Sequence, residues 1–496
     1  MKRNFTARIR RVFAGQQIAL ACLFLFGCAA LAQGVQPVAA HQELGKATVP
    51  ALLVSDIHFE PFWDPAKVPQ LAVAPVTEWR SILAAPSSRD QQQRFAALQQ
   101  SCHDHGFDTS YALFDSSLKA MRSHAAGAKF VAMSGDLISH SFQCKYEALI
   151  PNSTPDGYRA FVEKTLDFVI DELHAAIPNA PVYVAMGNND SDCGDYRLDA
   201  HSEFLRVTGK EVAKDFPASE RAAAEESLAA GGYYSVTLPA PIENARLLVL
   251  NDIFMSSNYA TCAGKPDSTA ADAQLAWLRQ QLAEARANKQ KIWVVGHIPP
   301  GVDLYSTASR MVDVCGGQSP AMFLASEKLA DILVEYGDVV KLAIFAHTHM
   351  DELRLLKPQT AAGKGVAVKM VPSISPIHGN HPSITLAQID PSTAALVDYK
   401  VFAASNTTGV DAVWSEEYDF APSFGEKEFT SSSISQVIAG FAADLDAKTQ
   451  ASQHYIQNFS AGSASTLLRL VWPQYVCALS NYTAESFRLC ACHAAP

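Results

Sequence analysis

At 496 residues the chain can bury a large core. Its composition, 48% hydrophobic and 18% charged with 26 Gly and 26 Pro, excludes a disordered or collagen-like polymer. A formal net charge of −11 argues against generic binding to nucleic acid or to an anionic membrane.

Reading from the N-terminus, Lys2, Arg3, Arg8, Arg10 and Arg11 precede an apolar run from Ile18 to Ala32 that contains no acidic residue. Small residues at Ala30 and Ala32 complete the pattern of a signal peptide over residues 1–32, with Gln33 as the first mature residue. The run is short of the ~20 residues that span a bilayer. Leu25-Phe26-Gly27-Cys28 loosely resembles a lipoprotein box, which Phe26 fits poorly, so the reading is a secreted or periplasmic protein rather than a lipid-anchored one. No later stretch is long and apolar enough for a transmembrane span. Eight cysteines follow residue 32, an even number that favours disulfides in an exported chain but allows 105 pairings. Four Asn-x-Ser/Thr triplets begin at Asn152, Asn406, Asn458 and Asn481, and such triplets also arise by chance.

Short, continuously apolar runs predict strands buried on both faces at 51–55, 130–134, 182–186, 246–251, 292–296, 342–346 and 366–371. Helical patterns lie between several of them, at 158–176, 270–287 and 321–336, so the fold class is α/β. Strands at 384–389 and 395–402 follow one another without a helix, which predicts a partly antiparallel sheet. Residues 59–128 are long for one connection and are read as an insertion or lid beside the site. After about residue 405 the strand rhythm stops, and Ser-rich sequence leads to helices ending in Cys477, Cys490 and Cys492.

Polar residues follow the strand ends. Asp56 and His58 come after the first strand, Gly135-Asp136 after the second, and Gly187-Asn188-Asn189-Asp190 after the third. His297 closes the strand at 292–296, and His347 and His349 follow the one at 342–346. The carboxyl ends of strands in an open α/β sheet converge on one crevice, so five segments deliver these groups to one place. Carboxylate, imidazole and amide oxygen suit Zn, Mn or Fe. One carboxylate must bridge if two cations are to lie about 3.5–4 Å apart. Each histidine alone suits a satisfied core residue as well; the set does not. Asp190 is better read as orienting a neighbour or capping a helix than as a ligand.

The ordered set D-x-H, G-D, G-N-N-D, G-H and A-H-x-H, over about residues 50–350, resembles the calcineurin-like metallophosphoesterases. That resemblance implies a four-layer αββα sandwich of mixed sheets over residues 48–405, with the insertion at 59–128 and a C-terminal helical, Cys-containing subdomain at 406–496. It implies Asp56, His58 and His349 on one divalent metal, Asn188, His297 and His347 on a second, and Asp136 bridging. Zinc is the first expectation, with Mn or Fe as alternatives, and the implied reaction is attack on phosphorus by metal-bound hydroxide.

A narrower likeness is to acid sphingomyelinase-like phosphodiesterases. It rests on Asp56-Ile-His-Phe-Glu-Pro, the excursion carrying Cys102 and Asp108, His140 four residues after Asp136, Gly296-His-Ile-Pro-Pro-Gly, and the Cys-bearing tail. His140 matches a catalytic histidine position of that group, although a surface histidine after a strand looks the same. Two departures stand out. Asn189 occupies the place of the histidine that protonates the leaving group in most members, and an amide is no general acid. Little sequence precedes the first strand, so a saposin-like lipid-extracting domain is not expected and sphingomyelin as dedicated substrate is in doubt. The expected partner is a small phosphate ester or polyphosphate, with no nucleic acid. An endopolyphosphatase-like hydrolase, which shares the Gly-Asn-Asn-Asp form, is the alternative enzyme, and a non-catalytic metal-containing binding protein is the alternative of another class. His378 and His381 suit either a cleft rim or an ordinary loop, and His103 and His105 lie in the insertion without an assigned role.

Overall fold

The computed structural model describes residues 47–214, 216–358, 364–461 and 465–493. The signal peptide expected over residues 1–32, with Cys28, lies outside them. Twelve strands occur among the described residues: β1 Val49–Val54, β2 Val131–Ser134, β3 Val182–Ala185, β4 Tyr234–Thr237, β5 Ala245–Val249, β6 Lys291–Val295, β7 Val340–Phe345, β8 Glu352–Leu356, β9 Val366–Met370, β10 Ser383–Ile389, β11 Leu396–Ala404 and β12 Trp414–Asp419. They form two six-stranded sheets, ordered β12-β11-β10-β1-β2-β3 and β4-β5-β6-β7-β9-β8.

Both sheets are mixed, and in each the parallel strands carry the motif loops. β1, β2 and β3 run parallel, while β10 to β12 add antiparallel strands on the other side of β1. In the second sheet β5, β6, β7 and β9 are parallel, with β4 and β8 antiparallel at the edges. The parallel strands are nearly all buried, as their unbroken Val, Ile, Leu and Ala runs require. Phe130, beside β2, packs edge-on against Trp293 of β6 at 5.8 Å, so the sheets share one core. Tyr234 ties them again, its hydroxyl taking the amide of Val184 at 2.8 Å. Helices such as Pro155–Ala176 and Thr269–Ala287 pack on the sheets. The fold is therefore α/β with two mixed sheets and a helical C-terminal region.

Two sequence expectations are corrected. The strand rhythm does not stop at 405, because β12 pairs with β11. Ser415 and Glu416 at its centre are exposed, the polar pattern that protects a sheet edge and hides a strand from an apolar search. The helix expected over 321–336 begins only at Lys328. Before it, backbone bonds Phe323 N to Gly301 O (3.1 Å) and Ala325 N to Met255 O (2.9 Å) hold the chain across two loops.

Residues 59–128 carry helices Val68–Val73, Val76–Ala84, Gln91–Ser101 and Tyr111–His124. The last crosses from β1 back to β2 and starts cleanly, its Ser110 hydroxyl accepting from Leu113 N. Trp79 is fully buried there, against Phe161 and Phe168. All eight cysteines of the described chain pair, as Cys102–Cys144, Cys193–Cys262, Cys315–Cys492 and Cys477–Cys490. No helix among the described residues is long and apolar enough to cross a membrane.

Candidate metal centre

The loops leaving β1, β2, β3, β6 and β7 meet at one place and bring together all seven residues singled out as ligands. Their backbones are bent sharply. Asp56, His58, Asp136, His347 and His349 all have φ between 43° and 71°, a region that non-glycine residues rarely enter and that clusters at functional sites. Gly187 is required rather than convenient: a Cβ there would stand 2.2 Å from the amide nitrogen and Oδ1 of Asp136.

The donor atoms fall into two groups. In one, His58 Nε2 lies 3.4 Å from Asp136 Oδ2 and 3.8 Å from Asp56 Oδ1, and His349 Nε2 lies 3.5 Å from Asp56 Oδ1 and 3.1 Å from His58 Nε2. In the other, His297 Nε2 lies 3.2 Å from Asp136 Oδ2 and 3.1 Å from Asn188 Oδ1, and a nitrogen of His347 completes a cluster with Asp136 and His297. Two donors held about 2.05 Å from a tetrahedral ion stand about 3.3 Å apart. The observed separations have that size, and Asp136 Oδ2 belongs to both groups.

The surrounding bonds leave the right atoms free. His58 Nδ1 meets Ile138 O at 3.0 Å and His297 Nδ1 meets Ser134 O at 2.7 Å, so each ring donates from Nδ1 and keeps the Nε2 lone pair. His349 Nε2 faces the His58 lone pair across 3.1 Å, and its own Nδ1 is buried without a hydrogen-bond partner. Asp56 Oδ1 is buried with no hydrogen-bond partner, which also fits a cation. Tyr196 engages His347 Nε2 at 3.2 Å, leaving Nδ1 as its donor. Burial disfavours protonation of His58 and His297, yet the surrounding carboxylates, Asp136 first, with Asp56 and Asp108 for His58 and Asp56 and Asp252 for His297, together outweigh it and lift their pKa values to about 9 and about 10. The pocket attracts positive charge. A His/Asp cluster of this kind fits a dinuclear metal site.

His140 stacks on His58, ring centroids 4.1 Å apart, with 28% of its side chain exposed. Its Nδ1 and backbone N both bond Asp108, at 3.1 and 2.8 Å. Asn189 turns inward, donating from Nδ2 to Asp136 Oδ2 at 2.9 Å. Asp190 accepts from Leu137 N, Ile138 N and Gly187 N, tying two motif loops together as a non-ligand acid. Burial pushes its pKa up to about 7, helped by the charge of Asp136. His103 and His105 are exposed on the insertion, and His381 is taken up by Ala404 O.

Three supporting residues escaped the sequence reading. Asp195 accepts from Asn188 Nδ2 at 2.7 Å and so points the amide oxygen at His297. Asp252 accepts from His297 N and Ile298 N. Tyr196 is the third. Only the position of Asp252, just past the apolar run of β5, carried a signal of the kind that singled out the candidate ligands.

The family model described as calcineurin-like phosphoesterase matches residues 49–351, which include every donor above. The chain belongs to that family. Calcineurin-like phosphoesterases are metal-dependent phosphoric ester hydrolases, and so is this enzyme. Its relatives are acid sphingomyelinase-like. Human acid sphingomyelinase-like phosphodiesterase 3b is 24% identical over 404 residues, covering 78% of this chain and 81% of its own. Human cyclic GMP-AMP phosphodiesterase SMPDL3A is 25% identical over 394 residues, covering 77% and 80%. Sphingomyelinase phosphodiesterase C of Dictyostelium discoideum is 23% identical over 331 residues, covering 63% and 66%.

Proposed function

We propose that the protein is an exported phosphodiesterase, in which Asp56, His58, His349 and Asp136 hold one divalent ion and Asn188, His297, His347 and Asp136 hold a second, with zinc as the first candidate. The observation that carries this reading is the sharing of Asp136 Oδ2 by two buried donor groups. Such a pair supplies Lewis acidity, activating water and offsetting the charge of the phosphoryl oxygens.

The chain's own residues do the positioning. The carbonyls of Ile138 and Ser134 fix the tautomers of His58 and His297, and Asp195 fixes the Asn188 amide. Asp108 holds His140 by Nδ1, which leaves Nε2 to face a substrate and to pass a proton to its departing oxygen. Asn189 supplies no proton. Esters with poor leaving groups therefore depend on His140, and the same feature supports an endopolyphosphatase-like second reading, because anhydrides need that proton least.

The names of the curated relatives support a phosphodiester substrate. Four disulfides support an oxidising compartment. Turnover of bis-p-nitrophenyl phosphate by the wild type and by Asp136→Asn, with metal content measured on both, is the test. The variant should lose metal and activity together, and equal activity in the two would refute the proposal. Polyphosphate shortening measured on the same preparation separates the two substrate readings.

A further inference from the structure

His378 is the imidazole at this site that neither the ligand set nor Asp108 employs. Its ring stands edge-on to His349, with centroids 4.5 Å apart, and edge-on to His140 at 6.4 Å. It is exposed, and among the described residues neither of its ring nitrogens has a hydrogen-bond partner. The loop beneath it is rigidly held. Ile374 N and Ser375 N bond the carbonyls of Ser55 and Asp56 at 3.2 and 3.0 Å, which joins this loop to the first metal-ligand turn. Ser375 Oγ donates to Asp108 Oδ1 at 2.9 Å, so the buried carboxylate that fixes His140 fixes this loop as well. The amide of Asn380, itself buried, donates to Ser373 Oγ and Ser375 O. A Cβ on Gly106 would come within 2.8 Å of Ile377, so the insertion backbone presses directly on the loop.

An unpartnered imidazole on so well anchored a loop, beside His140 and above His349, is placed to meet the substrate. We infer that His378 is a substrate-contacting residue whose ring N–H donates a hydrogen bond to the departing oxygen of the phosphate ester, filling part of the role that Asn189 has left open. This inference rests on the phosphodiesterase reading above. As the P–O bond breaks, its electron pair stays on the alcohol oxygen. Water contributes its OH to phosphorus, His140 passes its proton to that oxygen and is reprotonated by the hydrogen the water gives up, and the N–H of His378 offsets the charge growing there. A preorganised donor of this kind counts most where the charge is greatest, on a poor leaving group.

The test compares diphenyl phosphate with bis-p-nitrophenyl phosphate on the metal-replete full chain. His378→Ala should lower kcat/KM on diphenyl phosphate by about tenfold more than on bis-p-nitrophenyl phosphate. His378→Gln, which keeps an N–H donor, should recover part of that difference. His381→Ala, three residues along the same loop, should show no such split. Metal content of His378→Ala should equal that of the wild type. An equal loss on both substrates, or a drop in bound metal, would overturn the inference, the second by making His378 a ligand. A wild type that turns over neither substrate would instead overturn the phosphodiesterase reading and this inference with it.

Discussion

Asp195 shows how much of the centre depends on residues that touch no ion. Its carboxylate takes the Asn188 amide nitrogen at 2.7 Å, so the amide oxygen has one orientation, toward His297 Nε2. Without that partner the amide can flip and present its NH2 to the cation. Asp195→Ala should therefore weaken metal affinity by about 10–100-fold, read by competition with a chelator, while the melting temperature of the apo protein stays close to wild type. The residues proposed as ligands were readable because each sits in a short local pattern behind a strand. Asp195 and Tyr196 were not, because their roles exist only once the loop after β3 folds back on Asn188 and His347. Asp190 was legible as a non-ligand because it is one acid too many for the donor set, and its three backbone partners give it a structural task.

At the scale of elements, the stretch between β1 and β2 held the least information in its sequence. Its length suggested an insertion or lid beside the site, and its helices bury Trp79, Phe95 and Phe114 in the common core. The anchor is polar and was invisible: Lys145 is buried between Glu60, at 2.5 Å, and Asp104, at 2.6 Å. Burial disfavours the ammonium, but Glu60, Asp108 and Asp104 hold its pKa above the ordinary lysine value. Ser139 donates to the same Glu60, and Asp108 follows Asp104 by four residues, so the pair braces the segment that supports His140. Lys145→Met should leave two buried carboxylates without their cation and lower unfolding free energy by about 3–5 kcal/mol, read from denaturant midpoints. Retention of wild-type stability would show that the network is not what seats this region. The disulfide Cys102–Cys144 closes the same corner, a pairing that eight cysteines could not reveal.

For the whole molecule, alternation of strand and helix predicted an α/β fold, and it has one. Apolar runs located the buried parallel strands but missed β4, β8 and β12, which all lie at sheet edges. β4 and β12 are partly exposed, and β8, though buried throughout, has its apolar run broken by Glu352 and Arg354, whereas the edge strand β3 is apolar and buried and was found. The two sheets matter for function because neither carries the centre alone. β1, β2 and β3 of one sheet supply Asp56, His58, Asp136 and Asn188, and β6 and β7 of the other supply His297, His347 and His349. The core contact between Phe130 and Trp293 keeps these two halves in register. Anomalous scattering from crystals of the metal-replete protein tests the central claim most directly. The account predicts two peaks about 3.5–4 Å apart with Asp136 Oδ2 between them. One peak, or two that do not share that oxygen, would contradict it.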